Sequence, residues 1–146
     1  MDDVDLVREA ILARENAYTP YSHFAVGAAL LSADGRVWHG CNIENASYTP
    51  TNCAERTAFF KAVSEGTREF AAIAIVGGAA GLPISSWCAP CGVCRQVMEE
   101  FCDPQSFRVV LAASPHQIKT YLLKDLLPLG FGPQDLEAAQ READGQ

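Results

Sequence analysis

The sequence predicts an α/β fold in which helices pack in layers against a mixed sheet of five strands. Five segments have the apolar content and length of strands, and amphipathic helical patterns stand among them. The predicted order is helix, hairpin, helix, strand, helix, strand and strand. A chain that alternates helices and strands in this way builds a layered α/β domain.

The first predicted element is a helix. Apolar residues recur at helical spacing over residues 4–18, and Asp3 is the expected N-cap. Thr19-Pro20 is expected to end this helix, because the residue before a proline disfavours helical backbone.

A hairpin follows the first helix. Residues 24–33 alternate larger apolar side chains with small ones, which is typical of a strand. Asp34-Gly35 is a strong signal for a two-residue hairpin turn, and residues 36–41 return as the partner strand. Residues 42–48 are then a polar loop.

The rest of the chain alternates helices with buried strands. One predicted helix opens near Cys53 and another near Cys91. Residues 70–76 and 107–112 are continuous apolar runs, as in strands buried on both faces. Residues 77–83 are rich in glycine and are expected to form a loop. A short strand, a helical turn and a frayed, acidic, alanine-rich helix complete the prediction, at residues 118–122, 124–127 and 133–146.

Length and composition indicate one globular domain that acts on a small molecule. The chain has 146 residues, 49% of them apolar, which is enough for a single core. Its net charge of −7 argues against a groove for phosphate backbones and favours a small, uncharged or zwitterionic substrate. It has no apolar run of 18 residues and no basic start typical of a signal peptide, so the cytoplasm is the expected location. Six cysteines suit a reducing compartment better than a disulfide framework.

Three cysteines at two predicted helix starts indicate a metal site. A helix N-terminus lowers the pKa of a thiol, and the thiolate is the form that binds metal. Cys53, Cys91 and Cys94 would leave the fourth position of tetrahedral zinc open for water, as in a catalytic site. Cys91 and Cys94 alone also fit a redox pair, half of a structural zinc knuckle, or two buried thiols. The run Cys53-Ala54-Glu55 and the proline before Cys91 favour zinc, with one ion per chain.

Two residues beside Cys53 have properties that such a site needs. Glu55 lies two positions after Cys53, so the two side chains do not share a helical face, and Glu55 is expected to flank the metal. It is the candidate to take a proton from the water and return it to the substrate. Arg56 lies three positions after Cys53, where its guanidinium would offset the negative charge of three thiolates.

Five stretches together resemble a known family. They are Tyr21-Ser22-His23-Phe24-Ala25-Val26-Gly27-Ala28-Ala29-Leu30, Ile43-Glu44-Asn45, Cys53-Ala54-Glu55-Arg56-Thr57-Ala58, Pro90-Cys91-Gly92-Val93-Cys94-Arg95-Gln96 and Leu126-Leu127-Pro128-Leu129-Gly130-Phe131-Gly132. Over residues 6–133 the chain resembles the small homotetrameric cytidine deaminases. This resemblance implies a three-layer α/β/α catalytic domain over residues 1–133, with residues 134–146 as an acidic tail.

The resemblance also implies an activity. The reaction is hydrolytic deamination of cytidine and deoxycytidine to uridine and deoxyuridine, with release of ammonia, in pyrimidine salvage. By this resemblance, Cys53, Cys91 and Cys94 would hold a zinc ion that supplies the attacking hydroxide for C4, and Glu55 would protonate N3 and then the departing amine.

Further residues acquire roles from the same resemblance. Asn42 and Glu44 would hydrogen-bond the ribose, with Glu44 on the 3′-hydroxyl. Phe24 would pack against the nucleoside, and Ala54 would offer backbone groups to the base.

Other implied contacts cross between subunits of a homotetramer. Ala46 and Tyr48 would reach the site of a neighbouring subunit, near the 5′-hydroxyl. Phe131 would stack on a base bound in the next subunit. Active sites shared in this way make the tetramer necessary for activity.

Structural roles compete with several of these assignments. Asn42 and Glu44 would also serve to cap turns, and Phe24 on a strand would otherwise be a core residue. Arg56 also fits an ordinary surface arginine, and Phe131 between glycines would dock the tail.

The remaining cysteines and the histidines are expected to have no role in the site. The run from Cys88 to Cys94 has the spacing of iron–sulfur ligands, but Pro90 falls inside it and no fourth ligand follows at the expected spacing. We therefore expect Cys88 to be a bystander that could replace a ligand or oxidise with Cys91. If Cys88 did bind the metal, the open position would close and catalysis would stop. Cys41 and Cys102 are predicted to be small buried hydrophobes, and the three histidines match no ligand spacing.

Three other functions compete with nucleoside deamination. A structural zinc protein requires a closed four-thiolate site and has no need of Glu55. A polynucleotide deaminase requires a basic channel and usually has histidine where this chain has Cys53. A deaminase of an aminoacylnucleoside antibiotic is closer, but the pair Asn42 and Glu44 favours plain ribose, since two polar side chains match its hydroxyls.

Overall fold

Five strands form one mixed sheet at the centre of the molecule, as the sequence predicts. The computed structural model describes residues 1–145. In chain order the elements are α1 (Asp3–Arg14), β1 (Phe24–Ser32), β2 (Val37–Cys41), α2 (Ala54–Ser64), β3 (Phe70–Ala79), α3 (Gly92–Phe101), β4 (Arg108–Ser114), β5 (Gln117–Leu122), α4 (Leu123–Leu126) and α5 (Pro133–Asp144). The strands lie in the order β2-β1-β3-β4-β5, with β3 and β4 parallel and the other neighbours antiparallel.

Helices cover both faces of the sheet, which confirms the three-layer α/β/α arrangement. α1 packs on one face through Leu6, Val7 and Ala10, against side chains of β1, β3 and β4. α2 and α3 pack on the other face, where Phe59 and Met98 are fully buried. Successive strand residues point to opposite faces, so the continuous apolar runs of β3 and β4 contribute to both cores.

Two glycines in the strands let helices approach the sheet closely. A Cβ on Gly27 would lie 2.1 Å from the carbonyl oxygen of Ala10 in α1. A Cβ on Gly40 would lie 2.2 Å from the carbonyl oxygen of Ala54 in α2. Both contacts are with helix backbone, which does not move aside as a flexible side chain does. Gly40 therefore seats the first turn of α2, which follows Cys53, directly on the sheet.

The limits of α1 differ from those predicted. Its N-cap is Asp2 rather than Asp3, and the Asp2 carboxylate accepts a hydrogen bond from the Asp5 amide at 2.9 Å. The helix ends at Arg14 rather than near Tyr18, because the Tyr18 amide donates to the Asn42 carbonyl at 2.9 Å. This long-range hydrogen bond draws the chain out of the helix before the proline.

β3 is longer than predicted, and the expected loop at residues 77–83 starts later. Gly77 and Gly78 belong to the strand, where they pair with Val26 and Ala25 of β1. Pairing with β1 therefore outweighs the weakening that glycine causes in a strand. The other strands agree with the prediction to within two residues.

α5 lies on the surface, and none of its residues is buried. Pro133 is its first residue, and the Gly132 amide donates to the Asp135 carboxylate at 2.9 Å. The helix predicted at residues 133–146 is therefore present to Asp144, and Gln146 lies outside the described residues. No helix within residues 1–145 is long and apolar enough to cross a bilayer.

Candidate metal centre and active site

The first turns of α2 and α3 bring three sulfur atoms together. Cys53 is the N-cap of α2, Cys91 is the N-cap of α3, and Cys94 lies in the first turn of α3. The Sγ atoms of Cys53 and Cys91 are 3.8 Å apart, and those of Cys91 and Cys94 are 3.4 Å apart. All three sulfurs lie within 4.8 Å of one another. The two cysteine stretches therefore meet, as the sequence predicts.

The spacing of these sulfurs fits a zinc ion. Sulfurs at the corners of a tetrahedron, with Zn–S bonds of about 2.3 Å, lie about 3.8 Å apart. In the part of the chain that the structure describes, these cysteines form the only group of three or more side chains placed to bind a metal. Cys88 is not a member, so the closed four-thiolate site of a structural zinc protein is not formed.

Arg56 contacts the sulfur of Cys53, as its spacing in the sequence predicts. Its Nη2 donates to Cys53 Sγ at 3.2 Å. Hydrogen bonds from Cys94 and then Arg56 lower the pKa of Cys53 to about 5, although burial opposes them. The interaction with Cys53, together with burial, raises the pKa of Cys94. The contacts of Cys53 with Cys94 and Arg56 therefore favour its thiolate form, which is the form that binds metal.

Glu55 is buried beside the sulfurs without belonging to the metal-binding group. Its side chain is on the first turn of α2, and the residue is only 4% exposed. Burial raises the pKa of Glu55, and the negative charge of Cys53 raises it further, whereas Cys94 and Arg56 lower it. A buried carboxyl group whose pKa is raised is suited to accept a proton and release it again.

Asn42 is held against β1 by both ends of its side-chain amide. Oδ1 accepts from the Val26 amide at 2.9 Å, and Nδ2 donates to the Phe24 carbonyl at 2.8 Å. The amide keeps one N–H and one lone pair for another partner. Phe24 itself is 44% exposed, so its ring is not a core side chain in this chain.

Glu44 is fixed by the loop that precedes β1. Its Oε1 accepts from the Tyr21 amide at 3.0 Å and from the Ser22 amide at 3.1 Å, and its Oε2 accepts from the Ser22 hydroxyl. These hydrogen bonds, chiefly that from the Ser22 hydroxyl, lower the pKa of Glu44, so the carboxylate is ionised at neutral pH. Glu44, Tyr21 and Ser22 line a cavity of about 400 Å³ together with Tyr48 and Thr51.

The residues predicted to reach other subunits lie on the surface. Ala46 is exposed, Tyr48 is 72% exposed and Phe131 is 57% exposed. Phe131 lies beside α3 and α5, where the Gln96 side chain donates to its carbonyl at 2.7 Å. Ala54, by contrast, is fully buried at the start of α2.

Comparison with known proteins decides the family. Residues 1–111 match the family model described as the cytidine and deoxycytidylate deaminase zinc-binding region. The chain belongs to this deaminase family. The match covers the strands and helices that carry all three sulfurs and Glu55, and it confirms zinc as the cofactor predicted from the sequence.

Relatives of this deaminase match it over nearly their whole length. A cytidine deaminase of Sporosarcina psychrophila is 51% identical over 97% of this chain and 100% of its own. A cytidine deaminase of Mycobacterium tuberculosis is 41% identical over 97% of this chain and 100% of its own. The crystal structure of a cytidine deaminase from Burkholderia pseudomallei has 50% identity and a TM-score of 0.81, and the match covers 90% of this chain and 100% of that one.

Three residues of this deaminase make contacts near the site that its sequence pattern does not predict. Arg95 Nε donates to the Pro90 carbonyl at 2.9 Å, and Nη1 donates to the Leu126 carbonyl at 2.7 Å, which ties the cysteine turn to the C-terminal segment. The Gln96 side chain donates to the Phe131 carbonyl, and the Ser22 hydroxyl donates to the Glu44 carboxylate. All three lie inside stretches that resemble the family, and their polar side chains at those positions were the available signal.

Proposed function

We propose that this chain catalyses the hydrolytic deamination of cytidine and deoxycytidine to uridine and deoxyuridine, with release of ammonia, as a step of pyrimidine salvage. One observation carries the proposal: three sulfurs that fit zinc lie at two helix N-termini beside the buried carboxyl group of Glu55. Membership of the deaminase family and the relatives named cytidine deaminase support this class of substrate.

The metal-binding residues and Glu55 have separate chemical roles. Cys53, Cys91 and Cys94 would hold zinc, and zinc bound there would act as a Lewis acid that makes water acidic enough for hydrolysis. Glu55 takes one proton from the water and delivers it to N3 of the base. After the water oxygen has bonded to C4, Glu55 moves the second proton of that oxygen to the amine, which leaves as ammonia while C4 becomes a carbonyl. Arg56 acts through Cys53, since its hydrogen bond to that sulfur limits the negative charge that three thiolates place at the site.

A second set of residues binds the sugar and the base of the nucleoside. Glu44 binds the 3′-hydroxyl, since a carboxylate with three donors keeps room for one more. Asn42 uses its remaining N–H and lone pair on the ribose. Phe24 offers its exposed ring to the nucleoside, and the backbone of Ala54 meets the base.

The active enzyme is a homotetramer in which subunits share their active sites. Ala46, Tyr48 and Phe131 reach neighbouring sites from exposed positions. Leu129, two residues before Phe131, is fully exposed and has a left-handed backbone with φ of 56°. An exposed leucine in this conformation is unfavourable for an isolated chain, which supports contact of this segment with another subunit.

The catalytic unit is residues 1–133, followed by an acidic tail over residues 134–146. The enzyme works in the cytoplasm, because its site requires reduced cysteines, and all six cysteines, which lie within the described residues, are free thiols. Its partners are nucleosides rather than nucleic acid polymers or membranes, since the net charge of −7 repels phosphate groups.

The proposal is tested with purified protein and cytidine. We expect loss of absorbance in the cytosine band, formation of uridine and ammonia, and one zinc per chain by metal analysis. Light scattering is expected to give the mass of a tetramer. If cytidine and deoxycytidine stay intact while one zinc per chain is present, the assignment of substrate is wrong.

A further inference from the structure

The hydroxyl group of Ser22 lies between two residues to which the proposed function gives separate tasks. It donates to Oε2 of Glu44 and accepts from the backbone amide of Phe24 at 3.0 Å. A serine hydroxyl has one proton and two lone pairs, so these two hydrogen bonds together set its orientation. Ser22 therefore links the carboxylate of Glu44 to the start of β1.

We propose that Ser22 is a positioning residue that holds Glu44 and Phe24 as one unit and thereby sets the preference of the enzyme for nucleosides with a free 3′-hydroxyl. This inference rests on the proposed function, in which Glu44 accepts from that hydroxyl and Phe24 packs against the nucleoside. Ser22 acts through these two residues and has no chemical role of its own.

The backbone next to Ser22 also holds Glu44 in place, through two amide hydrogen bonds and a left-handed residue. The amides of Tyr21 and Ser22 both donate to Oε1 of Glu44, at 3.0 and 3.1 Å. His23, the next residue, has a left-handed backbone with φ of 57°, which is costly for a residue with a side chain. Its amide donates to the Thr19 carbonyl at 3.1 Å, and its carbonyl accepts from the Ala80 amide at 2.8 Å, so hydrogen bonds on both sides maintain the strained turn.

These three hydrogen bonds leave the Glu44 carboxylate able to accept a further hydrogen bond chiefly at Oε2. Two amides occupy Oε1 and the Ser22 hydroxyl occupies one direction of Oε2, so a further donor reaches Oε2 from one side. The lowered pKa of Glu44 supports this picture, because the ionised carboxylate accepts hydrogen bonds and donates none. A sugar hydroxyl satisfies that acceptor, and a sugar without the hydroxyl leaves it unpaired, which is the source of discrimination.

The experiment compares deoxycytidine with 2′,3′-dideoxycytidine, which differ only in the 3′-hydroxyl. For the wild-type enzyme, kcat/KM is expected to be much higher for deoxycytidine. In Ser22→Ala we expect the ratio of the two kcat/KM values to fall about tenfold, chiefly through a higher KM for deoxycytidine, because Glu44 loses its fixed orientation. Ser22→Thr keeps the hydroxyl and is expected to restore most of the ratio.

Ser114→Ala is the matched control. Ser114 Oγ accepts from the His116 amide at 3.2 Å and from the Gln117 amide at 3.1 Å in the turn between β4 and β5. This variant loses the same kind of local hydrogen bond outside the site, and we expect an unchanged ratio. In a Glu44→Ala background, which lacks the side-chain acceptor, Ser22→Ala is expected to cause no further change in the ratio of the two kcat/KM values. Where Ser22→Ala fails to fold, Ser22→Cys, a weaker donor of similar size, is expected to give an intermediate ratio.

The outcomes separate the inference from the proposed function. If the wild-type enzyme prefers deoxycytidine and Ser22→Ala keeps the same ratio, or lowers kcat equally on both substrates, the positioning role is wrong while the function stands. Equal rates of the wild-type enzyme on both substrates would also overturn it, because Glu44 would then not sense the hydroxyl. If the wild-type enzyme deaminates neither these nucleosides nor cytidine, the proposed function fails and the inference fails with it.

Discussion

A side chain caps the N-terminus of α1, whereas no side chain caps the N-termini of α2 and α3. At α1 the Asp2 side chain caps the helix by accepting from the Asp5 amide at 2.9 Å. At α2 and α3 the N-cap residues are Cys53 and Cys91, and neither side chain makes a capping hydrogen bond. An uncapped helix start is less stable by about 1 kcal/mol.

At α2 and α3 the N-cap residue is a candidate metal ligand, and the stabilising capping hydrogen bond is absent. The sulfurs of Cys53 and Cys91 are free to bind a metal, and the positive end of each helix dipole favours their thiolate form. The two helices with cysteine at the N-cap position are therefore expected to gain part of their stability from zinc, whereas α1 is not. The predictions that follow test this contrast.

The largest effect is expected from Cys91→Ala. Two remaining thiolates hold zinc weakly, so we expect loss of zinc, loss of measurable turnover and a lower midpoint of thermal unfolding. Metal analysis per chain, a cytidine assay and a thermal melt measure these quantities. Cys88→Ala is the control and is expected to keep one zinc per chain, since Cys88 lies outside the sulfur cluster. If the Cys91→Ala protein retains one zinc per chain, the assignment of Cys91 as a ligand is wrong.

Glu55→Gln is expected to separate chemistry from metal binding. The amide cannot take the proton from water, so kcat is expected to fall by about 10²- to 10⁴-fold. Zinc content and the unfolding midpoint are expected to stay at wild-type values, because Glu55 is outside the metal-binding group. Steady-state kinetics and metal analysis on the same sample provide the check. Loss of zinc in this variant would mean that Glu55 is a ligand.

A pair of glycine variants compares displacement of the end of α1 with displacement of the start of α2. Gly27→Ala pushes on α1 and Gly40→Ala pushes on α2, through backbone contacts of 2.1 and 2.2 Å. Both are expected to lower the free energy of unfolding by about 1–3 kcal/mol. Gly40→Ala is also expected to release zinc more readily to a chelator, because it moves the turn next to Cys53. Equal zinc retention in the two variants would contradict that link.

The smallest effect is expected from Asp2→Ala. Loss of the cap is expected to lower the free energy of unfolding by about 1 kcal/mol. Denaturant titration measures this change, and zinc content and kcat are expected to be unaffected, since α1 packs on the opposite face of the sheet. A drop in zinc content would show that the two regions are coupled.

The metal centre was predictable from the sequence because its signals are local. Cys53 and Cys91 each precede a helical apolar pattern, and Arg56 lies one turn from its sulfur partner. The end of α1 and the length of β3 were not predictable in this way. They depend on the hydrogen bond from the Tyr18 amide to the Asn42 carbonyl and on pairing of β3 with β1, which no local pattern reveals.

The surroundings of Glu44, which we propose to bind the sugar, were predictable only in part. The resemblance singled out Glu44, but its three donors are on Tyr21 and Ser22, 23 and 22 residues earlier in the chain. Such a contact depends on how the loop before β1 folds back over the loop after β2, which sequence spacing does not encode. The roles of Asn42 and Glu44 toward the ribose therefore stay predictions until variants are assayed.

The positions of the three sulfurs also bear on how the chain folds. Cys53 and Cys91 are 38 residues apart, and α3 belongs to the crossover that joins the parallel strands β3 and β4. Crossovers form slowly, because a long loop must close before its contacts repay the lost entropy. An ion that binds both cysteines early would close the 38-residue loop between them, which contains β3, and would place the start of α3 beside α2 before β4 pairs with β3. Refolding is therefore expected to be faster in zinc than in chelator.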